Sequence, residues 1–178
     1  LPFSFPAKLT DRGAHAFDEL SYPGDSIKQE YKEDILVGYR WHDTKKIPAL
    51  FPFGHGLSYT TFTYGKPVAS AKAMAADGTL TVTVAVKNTG SIAGKEIVQL
   101  YVGDDKCSVL RPVKELKHFA KVALAPGEEK SVTFTLTPDD LKFYDEASAA
   151  WKYEPGKFKA YVCASSADVR GVVSFEMQ

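Results

Sequence analysis

The sequence predicts a mostly-β protein whose main body is an antiparallel β-sandwich. From residue 80 onward, apolar side chains alternate with polar ones at a period of two, which is typical of half-buried strands. Turn-forming Gly, Pro, Asn and Asp residues separate these runs about every 8 to 15 residues. Before residue 64 the sequence is instead rich in aromatic residues and proline and has no sustained helical or strand period. We therefore expect a sandwich that follows a segment of a different kind.

The strands of the sandwich have clear boundaries in the sequence. An opening strand is expected within residues 61–71, and the next ends at the turn formed by Asn88, Thr89 and Gly90. All strands after the opening one are predicted at residues 80–87, 96–102, 115–124, 131–137, 150–153, 157–164 and 172–177. Seven or eight strands of this kind are expected for a sandwich of immunoglobulin type. The only helical signal lies at residues 138–141, where we expect at most a turn.

The charge balance excludes several classes of partner. Lys and Arg together number 22, as do Asp and Glu, so the net charge is zero. Such a chain lacks the long-range field that binding to nucleic acid or to an anionic membrane would use. No apolar run approaches the roughly 20 residues that a membrane span needs. We expect neither nucleic acid nor a membrane as a partner.

Two cysteines, Cys107 and Cys163, have a separation similar to that of an inter-sheet disulfide in an antibody domain. Cys107 follows a turn-like Gly-Asp-Asp-Lys sequence, whereas such a disulfide should begin within a strand. We therefore expect free thiols.

The first 63 residues carry more apolar side chains than an isolated arm can bury. We expect the sandwich, a further domain or both to cover them. Within this segment, the stretch ending Gly-Tyr-Arg-Trp-His-Asp at Asp43 is predicted to be a strand along the seam between domains. The apolar side chains concerned are Phe3, Phe5, Tyr31, Ile35, Leu36, Val37, Tyr39, Trp41, Phe51, Phe53 and Leu57.

Six stretches of sequence, taken together and in order, identify a protein family more specifically than any one of them does. LPFSFP begins at residue 1, YKEDILVGYRWHD at residue 31 and FPFGHGLSYTTF at residue 51. They are followed by VKNTGSIAGKEIVQLYVGD, RPVKELKHFAKVALAPGEEKSVTFTL and WKYEPGKFKAYVCASS. The first three resemble the C-terminal region of glycoside hydrolase family 3 enzymes, the β-glucosidases and their relatives. The last three resemble the fibronectin type III-like domain of that family.

This resemblance implies a division of the chain into three parts. Residues 1–45 would be the C-terminal tail of an α/β sandwich domain, residues 46–63 a linker and residues 64–178 a fibronectin type III-like domain. The implied function is that of the C-terminal region of a retaining β-glycosidase, in the first place a β-glucosidase acting on terminal β-D-glucosyl residues. The fibronectin-like domain would stabilise the catalytic domains. The alternatives are the same region of a β-xylosidase, or a carbohydrate-binding or surface-interaction sandwich module.

The resemblance also implies where the chemistry lies. The catalytic nucleophile and the acid/base residue are expected in domains upstream of this chain, which by itself should be inactive. The expected partners are those upstream catalytic domains and, through them, a β-linked oligosaccharide. No cofactor is implied, and the expected location is periplasmic or secreted.

Trp41 and His42 are the candidate substrate-binding residues. An aromatic face stacks on a pyranose ring, and the adjacent Arg40 and Asp43 could hydrogen-bond hydroxyl groups. We favour a structural interpretation, in which Tyr39 and Trp41 pack between domains while Arg40 and Asp43 form ion pairs.

Other candidate site residues have simpler structural explanations. Trp151 and Tyr153 could form a carbohydrate-binding strip, yet their spacing before a Pro-Gly turn favours a sandwich strand. Paired aspartates at 104–105 and 139–140 are expected to be turn residues rather than a calcium site, and the four histidines lack zinc-site spacing. Arg111, Lys114 and Glu115 form a charge cluster, expected on a solvated or interdomain face.

Overall fold

The computed structural model describes residues 1–178 and contains two β-sheets that pack face to face. The prediction of a mostly-β sandwich is confirmed. The thirteen strands are β1 (Phe5–Pro6), β2 (Ala49–Phe51), β3 (Phe62–Tyr64), β4 (Val68–Ala69), β5 (Ala73–Met74), β6 (Leu80–Asn88), β7 (Gly94–Asp104), β8 (Glu115–Leu124), β9 (Glu129–Leu136), β10 (Phe143–Asp145), β11 (Ala150–Lys152), β12 (Gly156–Cys163) and β13 (Val169–Met177).

The larger sheet has five strands in the order β5-β13-β12-β7-β8. In the smaller sheet β6 is central, with β9 on one edge and both β3 and β4 on the other. All pairs are antiparallel except that of β13 with β5. Two further sheets, β1 with β2 and β10 with β11, lie outside the sandwich.

Alternating side chains of both sheets form one core. Leu80, Val82, Val84 and Val86 of β6 face the apolar residues of β7 and β12, and the intervening side chains point away. Burying each such aliphatic side chain contributes about 1.5 to 3 kcal/mol. The burial of alternate side chains in this core therefore explains the period of two in the sequence.

Two strand predictions need correction. The opening strand expected within residues 61–71 is divided into β3 and β4, because Pro67 between them has no N–H for the ladder with β6. Residues 150–153 were expected in the sandwich, but β11 instead pairs with β10 as a separate hairpin. Its Tyr153 neighbour nevertheless packs against the core.

The prediction of a strand in the stretch that ends at Asp43 is wrong. The structure has the helix α1 (Tyr39–Lys45), which begins after Gly38 and ends where Lys46 adopts a left-handed conformation. In a helix, residues three and four apart share a face, so Tyr39 and Asp43 lie together while Trp41 points elsewhere. Short 3-10 helices lie at Leu9–Asp11, Gly13–His15 and Pro138–Leu141, the last of which the sequence analysis expected as a turn. No helix is long and apolar enough to cross a bilayer.

A buried asparagine holds the turn between β6 and β7. The Asn88 side-chain amide donates to the carbonyls of Ile92 (2.8 Å) and Leu124 (3.1 Å). Its carbonyl oxygen accepts hydrogen bonds from the Thr60 hydroxyl (2.6 Å) and the Gly90 N–H (3.0 Å). One side chain thus ties the end of the linker to both sheets.

Replacing Asn88 by alanine should destabilise the chain by about 3 kcal/mol, because it leaves buried donors and acceptors without partners. Urea denaturation measures the change in the free energy of unfolding. The matched control is Thr83→Ala, which removes the exposed hydroxyl contact with Thr133 and should cost less than about 0.5 kcal/mol. Equal losses in the two variants would contradict the role assigned to Asn88.

Candidate functional site

The candidate site is the seam where α1 docks on residues 113–116, which are the end of the loop before β8 and the first residues of that strand. The Tyr39 hydroxyl accepts a hydrogen bond from the Leu116 N–H (2.9 Å), and the Thr44 hydroxyl accepts one from the Val113 N–H (3.1 Å). Lys114 Nζ lies 2.5 Å from Asp43 Oδ2. These contacts join one face of the helix to consecutive residues of the sandwich.

A network of charged side chains extends the seam. Glu115 forms ion pairs with Arg40 (3.0 Å) and with Arg111 (3.1 Å), and Lys117 Nζ lies 3.7 Å from Glu115 Oε2. Burial by itself would raise the pKa of Glu115, but Lys117, Arg111 and Arg40 outweigh it and lower that pKa. The charge cluster seen in the sequence is therefore a contact between segments rather than a solvated face.

At Asp43, the balance between burial and pairing is the reverse. Burial raises the pKa of this carboxyl group, and the lowering effect of Lys114 is smaller. The Asp43–Lys114 pair is thus held in place at an electrostatic cost, as expected when two charges leave water.

The outer face of β7 is covered by the linker. Tyr101 contacts the Tyr39 ring edge-on at 5.5 Å, and Tyr39 in turn lies 5.3 Å from the Phe53 ring. Gly54, at φ +83°, passes so close to Gln99 that a Cβ atom would lie 2.3 Å from the amide nitrogen. The position requires glycine for both its conformation and its space.

The alternation of side chains along β7 puts Gln99 and Tyr101 on the face opposite the core residues Val98, Leu100 and Val102, but it does not indicate what covers them. Both are buried, and the Tyr101 hydroxyl donates to Gln99 Oε1 at 2.5 Å. A large aromatic on the outer face of a strand was the available signal that another segment packs there.

Trp41 and His42 are both enclosed. The Trp41 indole N–H donates to the Asp11 carbonyl (3.0 Å), and its ring meets Phe17 edge-on at 5.8 Å. His42 Nδ1 lies 3.0 Å from the carbonyl oxygen of Ile47. Tyr39 packs between α1 and the sandwich, and Arg40 and Asp43 form ion pairs, as in the structural interpretation. Trp41 instead packs within the first 45 residues rather than between domains. Contact of Trp41 or His42 with a sugar stays a prediction.

Both cysteines are free, as predicted, and burial raises the pKa of Cys163 to about 12. Cys107 lies with Asp104 and Glu154 so that one ligand atom of each falls within 4.8 Å of the others. Arg111 lies 3.6 Å from Asp104, and burial raises the pKa of Cys107. A positive neighbour and a protonated thiol both disfavour a cation at this cluster.

Much of the first 60 residues still exposes apolar side chains, which we call the N-terminal apolar surface. The sandwich covers Tyr39 and Phe53, and Leu36 and Trp41 are buried, so the predicted covering is partly supplied within the chain. The Phe3, Phe5 and Phe51 rings form an exposed cluster. The ring centroids of Phe3 and Phe5 are 4.5 Å apart, and those of Phe5 and Phe51 are 6.1 Å apart. The N-terminal apolar surface consists of Leu1, Phe3, Phe5, Leu9, Phe17, Tyr22, Ile27, Tyr31, Ile35, Val37, Leu50, Phe51, Leu57 and Tyr59.

Residues 96–166 match the sequence family of the fibronectin type III-like domain. The chain contains a fibronectin type III-like domain. The matched residues run from β7 to the loop after β12 and lie within the predicted range 64–178. The boundaries at residues 45 and 63 stay predictions.

The whole chain is similar to parts of β-glucosidases. It is 66% identical over 176 residues to "Beta-glucosidase BoGH3A" of Bacteroides ovatus, covering 99% of this chain and 24% of that protein. It is 46% identical over 177 residues to a β-glucosidase of Rhizobium radiobacter, covering 99% of this chain and 22% of that protein.

Solved structures agree. The β-glucosidase DesR of Streptomyces venezuelae, in complex with D-glucose, superposes with a TM-score of 0.89 at 41% identity, covering 99% of this chain and 22% of that one. A GH3 β-glucosidase of Bifidobacterium adolescentis superposes with a TM-score of 0.88 at 33% identity, covering 98% of this chain and 25% of that one. The resemblance to the C-terminal region of family 3 β-glucosidases is confirmed, and the chain spans about a quarter of the length of these relatives.

Removing the cation at the seam tests its contribution. Lys114→Met should lower the free energy of unfolding by about 3 kcal/mol, because it leaves Asp43 charged and largely buried without a partner. The double variant Lys114→Met with Asp43→Asn should recover most of this loss. Urea denaturation measures both, with the exposed Lys95→Met as control. A double variant no more stable than Lys114→Met would contradict a coupled pair.

The lowered pKa of Glu115 makes a prediction about acid stability. Its ionised form stabilises the fold above the unfolded value near 4.5, and this contribution is lost as pH falls through the lower folded pKa. Glu115→Gln should therefore flatten the dependence of unfolding free energy on pH below about 4.5. Urea denaturation at several pH values measures this, with exposed Glu176→Gln as control. An unchanged slope in Glu115→Gln would contradict the predicted linkage.

Proposed function

We propose that this chain acts as the supporting region of a retaining β-glucosidase, holding catalytic domains supplied by a longer polypeptide. The observation that carries the proposal is the 66% identity, along nearly the whole chain, to a protein named as a β-glucosidase. The structural similarity to β-glucosidases solved with glucose supports the same substrate class.

Retaining hydrolysis needs two carboxyl groups, one as nucleophile and one as acid/base, about 5 to 5.5 Å apart. The carboxylates at the seam of this chain are engaged in structural pairs: Asp43 with Lys114, and Glu115 with Arg40 and Arg111. By resemblance to the family, the two catalytic groups are assigned to the rest of the enzyme, and the chain alone should not hydrolyse glucosides.

The Phe3, Phe5 and Phe51 cluster of the N-terminal apolar surface is proposed as the contact with those catalytic domains. Covering exposed apolar area contributes about 25 cal/mol of favourable free energy per Å². Exposed apolar patches of this kind mark interaction sites. Since several directional hydrogen bonds and ion pairs join α1 to the sandwich, a domain resting on this surface would be held in a defined orientation. A misplacement of about 1 Å between catalytic groups can cost on the order of a hundredfold in rate.

The enzyme is also proposed to act in the periplasm or outside the cell, by its resemblance to the family. Fractionation of the producing cells with an antibody against this chain would test the location. Recovery only in the cytoplasmic fraction would contradict it.

The function is tested on the full polypeptide that contains this chain. It should hydrolyse an aryl β-D-glucoside faster than the matching β-D-xyloside, with retention of configuration measured by NMR, whereas residues 1–178 alone should be inactive. Deleting residues 62–178 should reduce kcat/KM on the order of a hundredfold and lower the melting temperature. Full activity and an unchanged melting temperature after the deletion would contradict the support role, and a preference for the xyloside would favour a β-xylosidase.

A further inference from the structure

The β10–β11 hairpin presents two aromatic rings to solvent. Tyr144 and Trp151 are directly opposite each other in the ladder, with centroids 5.7 Å apart and an interplanar angle of 71°. Their side chains are exposed, Trp151 by 66% and Tyr144 by 51%. The strip proposed as an alternative from the sequence joined Trp151 to Tyr153, but in the structure Tyr153 packs on the core and Tyr144 takes its place.

The exposure of these rings follows from how the hairpin is anchored. Phe143 is buried between the cations of Arg111, 5.5 Å from its ring, and Lys152, at 5.8 Å. Asp145 is also buried and pairs with Lys152 at 2.8 Å. Because side chains alternate along a strand, burying both of these neighbours turns Tyr144 outward. The aromatic pair is thus displayed on an anchored element rather than on a loose loop.

A groove of about 760 Å³ runs beside the pair, between the hairpin, the loop before β8 and the start of α1. Its lining carries four basic and four acidic side chains, so the groove has no net charge. Several of these are already paired with one another, as Arg40 is with Glu115. Such a wall offers hydrogen-bond donors and acceptors without attracting an ion of either sign.

We propose that this groove binds a neutral oligosaccharide, which lies against Trp151 and Tyr144; that the oligosaccharide is β-linked rests on the proposed function. Aromatic rings offer flat apolar faces to the C–H groups of a pyranose, and the charged groups opposite hydrogen-bond its hydroxyls. A concave site with a few convergent polar groups beside aromatic rings is the usual form of a small-ligand site. This inference goes beyond the proposed function, since binding here requires no hydrolytic activity.

Affinity electrophoresis of the full polypeptide tests the groove, with gels containing laminarin, soluble xylan or hydroxyethylcellulose. At least one of these polymers should retard the native protein, and Trp151→Ala should weaken the binding about tenfold or more, as for a buried aromatic anchor. Trp151→Phe, which keeps an aromatic face, should retain part of the affinity. The matched control is Phe119→Ala, which removes an aromatic ring that is 68% exposed on β8 outside the groove.

Three results would overturn the proposal. These are a native protein that no polymer retards, equal effects of Trp151→Ala and Phe119→Ala, and a change of hydrodynamic size in Trp151→Ala that reveals a protein partner on the rings. Hydrolysis of an aryl β-glucoside by the same variants should be unchanged. That assay separates the two proposals, because a native protein that does not hydrolyse the glucoside contradicts the proposed function, while a native protein that no polymer retards contradicts only the groove.

Discussion

The docking of α1 against residues 113–116 is the contact on which the rest of the arrangement depends. Each of these four residues binds the helix, through backbone N–H groups at Val113 and Leu116 and through side chains at Lys114 and Glu115. Hydrogen bonds and ion pairs are directional, so the helix cannot slide along β8 without breaking several at once. The N-terminal segment is therefore fixed to the sandwich in one register, and the linker also contacts the sandwich, where Gly54 lies against Gln99 of β7 and the Phe53 carbonyl accepts a hydrogen bond from the Ser166 N–H.

We expect the Asp43–Lys114 ion pair at this seam to fix the docking geometry more than to add net stability. Removing charges from water is costly, and the raised pKa of Asp43 records that cost. The apolar core between the sheets supplies the stability instead, through fully buried side chains of β6, β7 and β12. This division suits a supporting region, because the core holds the sandwich together while the seam sets the direction in which the N-terminal apolar surface faces.

Much of the sandwich could be predicted because its strands are half-buried, and a half-buried strand has apolar and polar residues alternating at a period of two. The strand from Glu115 to Leu124 was predicted with its observed bounds, and those of β6, β7, β9, β12 and β13 differ by a few residues. The errors fall where tertiary contacts replace that pattern. The stretch from Tyr39 to Asp43 has aromatics at alternate positions, which suggested a strand, but partners at Leu116 and Lys114 require the spacing of a helix. β11 has a strand-like sequence, yet it pairs with β10 rather than with either sheet.

The sequence by itself determined the fold class and the resemblance to a region of β-glucosidases, because these depend on local pattern and on sequence stretches read in order. Only the tertiary structure decided which side chains meet. It enclosed Trp41 against Asp11 and Phe17, and it left Trp151 exposed opposite Tyr144. The physical reason is that the burial of an aromatic depends on segments distant in the chain. The same residue type can therefore be a packed anchor in one place and an open ring in another.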